Sequence, residues 1–384
     1  MDHILVAEIQ DWMMEKALPL WTTVGLDHVH GGVVETLSLD ATRPGGAEFK
    51  RARVACRQLY VFSHAVLLGQ KQAAAAADHV YEHLLSRFWQ GPDHGWARRV
   101  TTEGALLDPT PDLYDHAFAL FALAWRFRAT QDREALRLAH ETLDFLEARF
   151  VHPSGEGFHN QLPATLPRQQ NPHMHLAEAA LALTEASGEQ RFAMLSDRMA
   201  ELFEKHLLRL PQGFAPEFFN DDWTPASEDR GRWVEPGHLF EWAWILAQHQ
   251  RLRGIDHTTS VKALVAWAER FGVDPSTQVT MNAIRDDGVP LDRGTRTWPN
   301  TERLKGWLGL YELTGADPRA AVTGSARLLL SRMLADAPPG TWMDAYDEAG
   351  RPAAAMAPTS TLYHLFLAFA EALRLAPQLL AGRG

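Results

Sequence analysis

Apolar residues recur with a period near 3.6 in twelve stretches of the chain, which is the spacing expected of helices that bury one face or more. The stretches lie near residues 3–20, 49–69, 73–88, 112–130, 132–150, 171–187, 190–207, 236–253, 257–271, 298–314, 317–333 and 358–375. Short links follow the even-numbered helices, whereas long links follow the odd-numbered ones. The pattern predicts a mostly helical chain built from helical hairpins.

The long links resemble one another, because each combines glycine or a turn signal with strand-like residues. Examples are GWARRVTTEGALLD at 95–108 and QVTMNAIRDDGVPLD at 278–292. The triplets DDG (286–288) and EAG (348–350) have the composition of hairpin turns. One long link and two helices recur about every sixty residues, six times over, as in a repeat architecture. Such a repeat forms either an open solenoid or a closed toroid.

The polar residues that interrupt apolar helices fall on the even-numbered helices, mostly near their N-terminal ends. They are Arg53, Arg57, Tyr114, Asp115, His116, Asn171, His173, His175, His238, Glu241, Trp298, Glu302 and His364. The odd-numbered helices, such as 133–150, have the pattern of amphipathic surface helices. A toroid would gather the polar residues around one pocket. We therefore predict an all-α chain, a single (α/α)6 barrel catalytic domain over 1–384, with short β-hairpin loops over one end.

Composition narrows the range of partners. The net charge of −11 and the pI near 5.9 argue against nucleic acid or an anionic membrane as the main partner. No segment approaches the ~18 apolar residues of a membrane span, and the N-terminus lacks the pattern of a signal peptide. The single cysteine, Cys56, suits a reducing compartment. We expect a cytoplasmic protein, either a monomer or a homodimer.

His238 and Glu241 are the first candidates for chemistry. Separated by three residues on one predicted helix, they share a face. A nearby carboxylate would orient the imidazole and raise its pKa against the lowering effect of burial, as a general acid or base requires. The alternative is that both residues only stabilise the end of a helix. His364, in the apolar segment STLYHLFLAF, is either a second such group or a core histidine.

Two arginines and a tryptophan are candidates for binding. Arg53 and Arg57 share a helix face and can offer donors to a hydroxyl-rich or anionic ligand. The alternative is an ion pair with Glu241, Glu302 or Asp115. Trp298 either lines the pocket or packs in the core.

The sequence does not favour a metal or a cofactor. His173 and His175 are two apart on a predicted helix and therefore diverge, whereas zinc-binding histidines on a helix are usually four apart. The chain has no HExxH motif, no cysteine cluster and no glycine-rich phosphate loop between a strand and a helix. We expect no metal and no cofactor.

Six segments resemble the N-acylglucosamine 2-epimerase superfamily, which includes mannose isomerases and sugar 2-epimerases. They are RVACRQLYVFSHA (53–65), LYDHAFALFALA (113–124), NPHMHLAEAALAL (171–183), PGHLFEWAWIL (236–246), TWPNTERLKGWL (297–308) and the segment around His364. Each falls on an even-numbered helix. The resemblance covers nearly the whole chain and implies an (α/α)6 barrel.

The resemblance also implies roles for residues. His238 and His364 would be general acid/base groups on either side of a sugar, and Glu241 would support His238. Sugar ligands would be Arg57, Tyr114, Asn171, His175 and Trp298, and we add Arg53 and Glu302 as substrate-binding candidates. The disaccharide epimerases carry tryptophans shortly before the last histidine, whereas this chain has APTSTLYH. The segments YDHAF (114–118) and GHLFEW (237–242) are more similar to those of the mannose isomerases.

These observations predict a metal-independent aldose–ketose isomerase that interconverts D-mannose and D-fructose through a cis-enediol. A sugar 2-epimerase is the alternative, because the same intermediate can be reprotonated at C2. A glycoside hydrolase, which would use two carboxylates among Asp115, Glu241, Glu302 and Asp344, and a non-catalytic sugar-binding protein are more distant alternatives. Loop arginines that can recognise an anionic group on the sugar are Arg168, Arg230, Arg232 and Arg296.

Overall fold

The computed structural model describes residues 1–40 and 42–381, and it contains every predicted helix. The helices are α1 (His3–Asp11), α2 (Leu18–Trp21), α3 (Ala52–Leu67), α4 (Ala73–His83), α5 (Leu113–Thr130), α6 (Arg133–Arg149), α7 (Gln170–Ser187), α8 (Gln190–Leu202), α9 (Pro236–Arg253), α10 (Thr258–Trp267), α11 (Thr297–Thr314), α12 (Arg319–Leu328) and α13 (Leu362–Ala381). A π-helical segment, Trp12–Ala17, joins α1 to α2. Similar segments extend α4, α8, α10 and α12.

The helices form two concentric rings. The inner ring consists of α3, α5, α7, α9, α11 and α13, each packed against the next, and α13 returns to α3. The outer helices α4, α6, α8, α10 and α12 pack against the preceding inner helix, and α1 packs against α13. The ring is closed, so the toroid is the correct arrangement and the predicted fold class is confirmed. The predicted 1–384 unit also includes residues 41 and 382–384, which lie outside the described residues.

Burial explains the two sequence patterns. In α9 every residue from Pro236 to His249 is buried, because neighbours cover all sides of an inner helix. The outer helix α6 buries one stripe, which contains Ala135, Leu138, Leu143 and Leu146. An inner helix can therefore be apolar all round, whereas an outer helix must be amphipathic. None of the helices in the described part of the chain is both long and apolar enough to cross a membrane.

Short strands connect the long links around one end of the ring. The strands are β1 (Thr36–Ser38), β2 (Phe49–Arg51), β3 (Arg99–Thr101), β4 (Leu106–Asp108), β5 (Arg168–Gln169), β6 (Phe218–Phe219), β7 (Trp233–Val234), β8 (Ala283–Arg285), β9 (Pro290–Asp292), β10 (Thr295–Arg296), β11 (Ala345–Tyr346) and β12 (Met356–Pro358). The sheets are β2-β3-β4, β5-β6, β7-β8-β9, β10-β11 and β1-β12, with antiparallel neighbours. The DDG turn joins β8 to β9 as predicted, whereas the EAG turn closes a single bridge.

The pairing follows one rule. The strand that precedes an inner helix pairs with a strand from the next long link, and a bridge between Asp112 and Gln161 does the same for α5. The last strand, β12, pairs with β1 and closes the circle. This pairing fixes the N-terminal ends of all six inner helices around one opening.

Candidate active site

A cavity of about 280 Å³ lies at the N-terminal ends of the inner helices. Its lining consists of Arg57, Tyr114, Asn171, His175, Glu235, His238, Glu241, Arg296, Trp298, Asp344, Pro358, Ser360, Thr361 and His364. All six inner helices contribute, so the strand pairing described above shapes this space. Eight of the ten predicted site residues line it, and the other two, Arg53 and Glu302, lie behind the wall.

His238 opens α9 and is held by a glutamate from the preceding link. Its Nδ1 lies 2.9 Å from Glu217 Oε1 and 4.0 Å from Glu235 Oε2. Gln170 donates to the same Glu217 oxygen at 2.8 Å and fixes it. Burial lowers the pKa of His238, but the charges of Glu217 and Glu235 outweigh burial and raise that pKa to about 9. The imidazole is therefore charged at neutral pH.

The expectation that Glu241 holds His238 is corrected by this geometry. No hydrogen-bond partner for either carboxylate oxygen of Glu241 exists among the described residues. The reason is position: Glu241 is one turn further along α9, whereas Glu217 approaches the imidazole from the link before the helix. Burial and the neighbouring Glu302 raise the pKa of Glu241, which lines the cavity, well above its usual value.

His364 stands on α13 and has its own glutamate. Its Nδ1 lies 2.8 Å from Oε1 of Glu302, which is fully buried on α11. An ionised Glu302 would accept from Nδ1–H and leave the lone pair on Nε2. Burial and the charges of Arg57 and Lys305 lower the pKa of His364 well below its usual value. Glu302, which we expected to bind substrate, instead orients this neutral imidazole.

His175 is the third imidazole in the wall. Its Nδ1 contacts Glu178 Oε2 at 3.1 Å, and Tyr363 donates its hydroxyl to both oxygens of the same carboxylate. Burial lowers the pKa of His175 to about 4, so it is neutral. With Nδ1–H donating to the Glu178 carboxylate, Nε2 can accept one hydrogen bond from a ligand.

Trp298 lies between the two catalytic candidates. Its ring centroid is 4.9 Å from that of His238 and 5.6 Å from that of His364. Gly237 makes this packing possible, because a Cβ at that position would come within 2.5 Å of Trp298 Cζ3. Both imidazoles therefore pack near the same aromatic ring and border the same space.

Arg57 and Arg53 share a face of α3 but have different partners. Arg57 Nη2 donates to the Tyr114 hydroxyl at 2.7 Å, and Nη1 donates to the Ser360 carbonyl at 3.0 Å. Among the described residues, no carboxylate lies within 4.0 Å of the Arg57 guanidinium, so its charge is available in the cavity. Arg53 is one turn nearer the helix start and donates to both oxygens of Asp115 at 2.7 and 3.2 Å. The ion-pair reading of Arg53 is therefore correct, and its assignment to substrate binding is not.

Comparison with known proteins agrees with this architecture. The sequence profile of N-acylglucosamine 2-epimerase (GlcNAc 2-epimerase) matches residues 32–368. The chain belongs to this family. It is an enzyme, a sugar isomerase or epimerase.

Two relatives and one solved structure define its place in the N-acylglucosamine 2-epimerase family. The chain is 35% identical over 382 residues to mannose-6-phosphate isomerase of Rhizobium meliloti (strain 1021), covering 96% of this chain and 97% of the relative. It is 29% identical over 329 residues to D-mannose isomerase of Thermobifida fusca, covering 75% and 79% of the two chains. The structure of cellobiose 2-epimerase from Spirochaeta thermophila DSM 6192 superposes with a TM-score of 0.86 over 98% and 97% of the chains, at 24% identity. That structure shows the shared fold.

Other polar residues of the inner helices have structural roles. His116 Nε2 accepts from the Trp96 amide at 3.1 Å, and His173 Nε2 accepts from the Phe158 amide at 3.0 Å. Among the rim arginines, Arg296 alone lines the cavity, and it contacts Glu235 at 3.3 Å. The others bind elsewhere: Arg168 bonds the carbonyls of Glu156 and Asp221, Arg232 pairs with Asp286 and Asp287, and Arg230 lies over the ring of Phe218.

Several side chains at or next to the cavity were not predicted as site residues from the sequence. Glu217 comes from a link with no motif around it, and Asp344 was named only as a hydrolase candidate. Glu235 could have been predicted from the sequence, because it directly precedes the Pro-Gly-His segment that contains His238. Lys305 was also missed, because a single lysine in an apolar helix resembles a surface position.

Two groups of side chains place potential metal ligands within 4.8 Å of one another. They are His175, Glu178 and Glu241, and Glu241, Glu302 and His364. The Lys305 ammonium lies 2.7 Å from Glu302 and 4.0 Å from Glu241, so a positive charge is already supplied by the chain. We therefore assign no metal to these groups.

A second cavity of about 890 Å³ opens at the opposite end of the ring. Its wall contains Phe121, Leu181, Leu367 and the tryptophans at 125 and 244. It is larger but mainly apolar, and His238 and His364 line the other cavity. The convergence of titratable groups, not size, identifies the candidate active site.

Proposed function

We propose that this enzyme interconverts D-mannose and D-fructose through a cis-enediol, without a metal ion. The observation that carries the proposal is a pair of imidazoles with opposite protonation at one small cavity, His238 charged and His364 neutral. Moving hydrogen between adjacent carbons of a sugar needs both an acid for the oxygens and a base for the carbon.

The first step opens the pyranose ring. His238 donates its proton to the ring oxygen as the C1–O5 bond breaks, and the C1 hydroxyl returns a proton to the same imidazole. The product is the open-chain aldose, with a carbonyl at C1. His238 ends this step charged, as it began.

The second step moves hydrogen between carbons. Nε2 of His364 removes the C2 hydrogen, and the C2–H electron pair forms the C1=C2 bond while His238 protonates O1. The enediol then collapses to the ketose. His364 delivers the proton to C1, and the O2 hydroxyl returns its proton to His238 as the C2 carbonyl forms. Atoms and charges balance, and both imidazoles are regenerated.

Arg57 and Tyr114 stabilise charge that develops on the enediol oxygens. The guanidinium has no carboxylate partner within 4.0 Å in the part of the chain that the structure describes, and its donors reach the cavity beside the Tyr114 hydroxyl. A preorganised donor of this kind typically contributes about a hundred- to a thousandfold in kcat. His175 and Asn171 would bind the remaining hydroxyls.

Size and charge favour an unmodified monosaccharide. The cavity of about 280 Å³ lies just below the ~300–1,000 Å³ usual for small-molecule sites. Arg296 is the cation at its rim, and Glu235 already contacts it at 3.3 Å. A sugar phosphate would have to break that pair, although one relative is named as a mannose-6-phosphate isomerase.

A 2-epimerase is the second candidate, because the charged His238 is a second proton donor at the same cavity. An imidazolium facing the enediol from the side opposite His364 can return a proton to C2 and invert that carbon. Of the four carboxylates named for a hydrolase, Glu302 and Asp115 are bonded behind the wall, whereas Glu241 and Asp344 line the cavity.

The test is incubation with D-mannose, D-mannose 6-phosphate, D-lyxose, D-glucose and N-acetylmannosamine in EDTA, followed by chromatography. Fructose from mannose, at the same rate with and without EDTA, is the expected result. Glucose as the first product would establish epimerisation instead. Conversion of the phosphate alone would contradict the substrate assignment, and activity lost in EDTA and restored by a divalent ion would contradict the metal-independent mechanism.

A further inference from the structure

A lysine is buried behind the His364 wall. Lys305 stands one turn after Glu302 on α11, and both side chains are completely inaccessible to solvent. The Lys305 Nζ lies 2.7 Å from Glu302 Oε2, 4.0 Å from Glu241 Oε1 and 4.4 Å from the centre of the Trp244 ring. A fully buried ammonium is rare unless it is paired, so this position has a specific cause.

Three buried carboxyl groups surround that ammonium, namely Glu178, Glu241 and Glu302. Within residues 1–40 and 42–381, no other lysine or arginine lies within 4.0 Å of any of them. Burial lowers the pKa of Lys305, but the negative charges of these carboxyl groups outweigh burial and raise that pKa above its usual value. The lysine is therefore kept protonated. In return, Lys305 opposes the rise that burial imposes on the pKa of Glu302.

The charged and titratable groups packed around Glu302 come from five inner helices. They are Arg57 and Tyr60 on α3, His175 and Glu178 on α7, Glu241 on α9, Lys305 on α11, and Tyr363 and His364 on α13. Arg57 is directed to Tyr114 and Ser360, and His175 is neutral. Lys305 is therefore the cation that acts directly on the Glu302 carboxylate.

We propose that Lys305 is a positioning residue that keeps Glu302 ionised, so that Glu302 accepts from Nδ1 of His364 and leaves the lone pair on Nε2 facing the cavity. Without the ammonium, Glu302 would be protonated at neutral pH and would donate to Nδ1. The hydrogen of His364 would then be on Nε2, where it blocks removal of a proton from the substrate.

The predicted loss of activity rests on the proposed function, in which His364 is the base. The predicted position of the hydrogen on the His364 ring does not rest on that function. Two readouts are therefore needed: steady-state kinetics with D-mannose, and the tautomer of His364 by ¹⁵N NMR of histidine-labelled enzyme, with His364→Asn used for assignment. The variants are Lys305→Met, Lys305→Gln, Glu302→Gln and the double variant Lys305→Met/Glu302→Gln.

Arg303→Met is the matched control. Arg303 is also buried on α11, but its guanidinium binds Glu269 and the Gln278 carbonyl on the outer side of the ring. Its loss removes a buried cation from the same helix without touching the Glu302 cluster. Circular dichroism and thermal unfolding identify any variant that fails to fold, and Lys305→Gln replaces Lys305→Met if the latter does.

In Lys305→Met and Lys305→Gln, kcat at neutral pH is expected to fall about a hundredfold, the lower end of what a positioned general base contributes. KM should stay nearly constant, and kcat should recover as the pH rises, because Glu302 then ionises without help. Arg303→Met should retain the wild-type pH profile. In the Glu302→Gln background, Lys305→Met should change kcat by less than about threefold, because coupled residues are not additive.

The NMR readout separates the two hypotheses. The wild-type enzyme should show His364 with hydrogen on Nδ1, and Lys305→Met should show it on Nε2. That result supports the proposal even if no sugar is isomerised. An unchanged Nδ1–H tautomer in both lysine variants overturns it, and so does a full additive loss in the Glu302→Gln background.

Discussion

The α9 and α13 walls of the cavity carry the same chemical pair, a histidine with Nδ1 on a glutamate, and yet the two pairs behave differently. On α9, Glu217 and Glu235 both act on His238, and the pKa of His238 rises to about 9. On α13, Glu302 is shared with Lys305, Arg57 is nearby, and the pKa of His364 falls well below its usual value. The difference teaches that a carboxylate alone does not set the charge of an imidazole; the other partners of that carboxylate do.

The largest effect is expected from His364→Asn. Loss of the neutral base should reduce kcat for mannose isomerisation by about a thousandfold or more, within the range for a positioned general base. The Asn side chain can still donate to Glu302, so the melting temperature should change little. Near wild-type turnover by the purified variant would remove His364 from the mechanism and end the comparison.

Arg57→Met is expected to lower kcat by about a hundredfold, because the enediol loses its preorganised donor. Arg53→Met is the matched variant four residues away on α3. It should retain most activity but lower the free energy of unfolding by about 3 kcal/mol, since it leaves buried Asp115 without its principal partner. The two effects are measured by steady-state kinetics and by urea unfolding. Equal losses of kcat in both variants would contradict the different placements of these arginines.

Glu217→Gln is expected to lower the pKa of His238. The charge state of His238 would then become more similar to that of His364. In the wild type, kcat/KM should decrease as the pH rises through about 9, because His238 loses its proton there. In the variant this decrease should move to lower pH, with about a tenfold loss at pH 8, as expected when general acid catalysis is impaired.

The control for Glu217→Gln is Glu204→Gln. Glu204 also accepts from a histidine Nδ1, that of His257 at 2.9 Å, but it lies away from the cavity. Its pH profile should match the wild type. A profile for Glu217→Gln that is indistinguishable from that of Glu204→Gln would show that Glu217 does not set the charge of His238.

Gly237→Ala is expected to have the smallest effect. Its Cβ would displace the Trp298 ring, which lies between the two imidazoles, so KM should rise about fivefold, in keeping with the modest cost of overpacking. Gly324→Ala on α12 is the control, because a Cβ there meets nothing within 4 Å. Identical KM values in the two variants would exclude a role for the Trp298 position in substrate binding.

Much of the fold was predictable because it depends on local patterns. The helical periodicity, the alternation of short and long links and the polar residues at inner-helix starts are properties of nearby residues, and they led to the closed ring. The pairing of each strand with the next long link was not predictable, because strands of two or three residues carry little pattern. The resemblance supplied His238, His364 and Arg57 as a set.

The errors in the site have a common physical cause. His238 and Glu241 share a helix face, which suggested a pair, but Glu217 reaches the imidazole from a loop that sequence spacing cannot locate. Arg53 and Arg57 also share a face, and only the position of Asp115 on a neighbouring helix separates their roles. Contacts between helices decide these assignments, and they depend on the packed structure.

The different charge states of the two imidazoles are tested most directly by a ¹⁵N NMR titration of histidine-labelled enzyme, with His238→Asn and His364→Asn used to assign the two signals. His238 should be an imidazolium at neutral pH and lose its proton near pH 9, while His364 remains neutral throughout. A His238 that is neutral at pH 7, or a His364 that titrates near pH 7, would contradict the account.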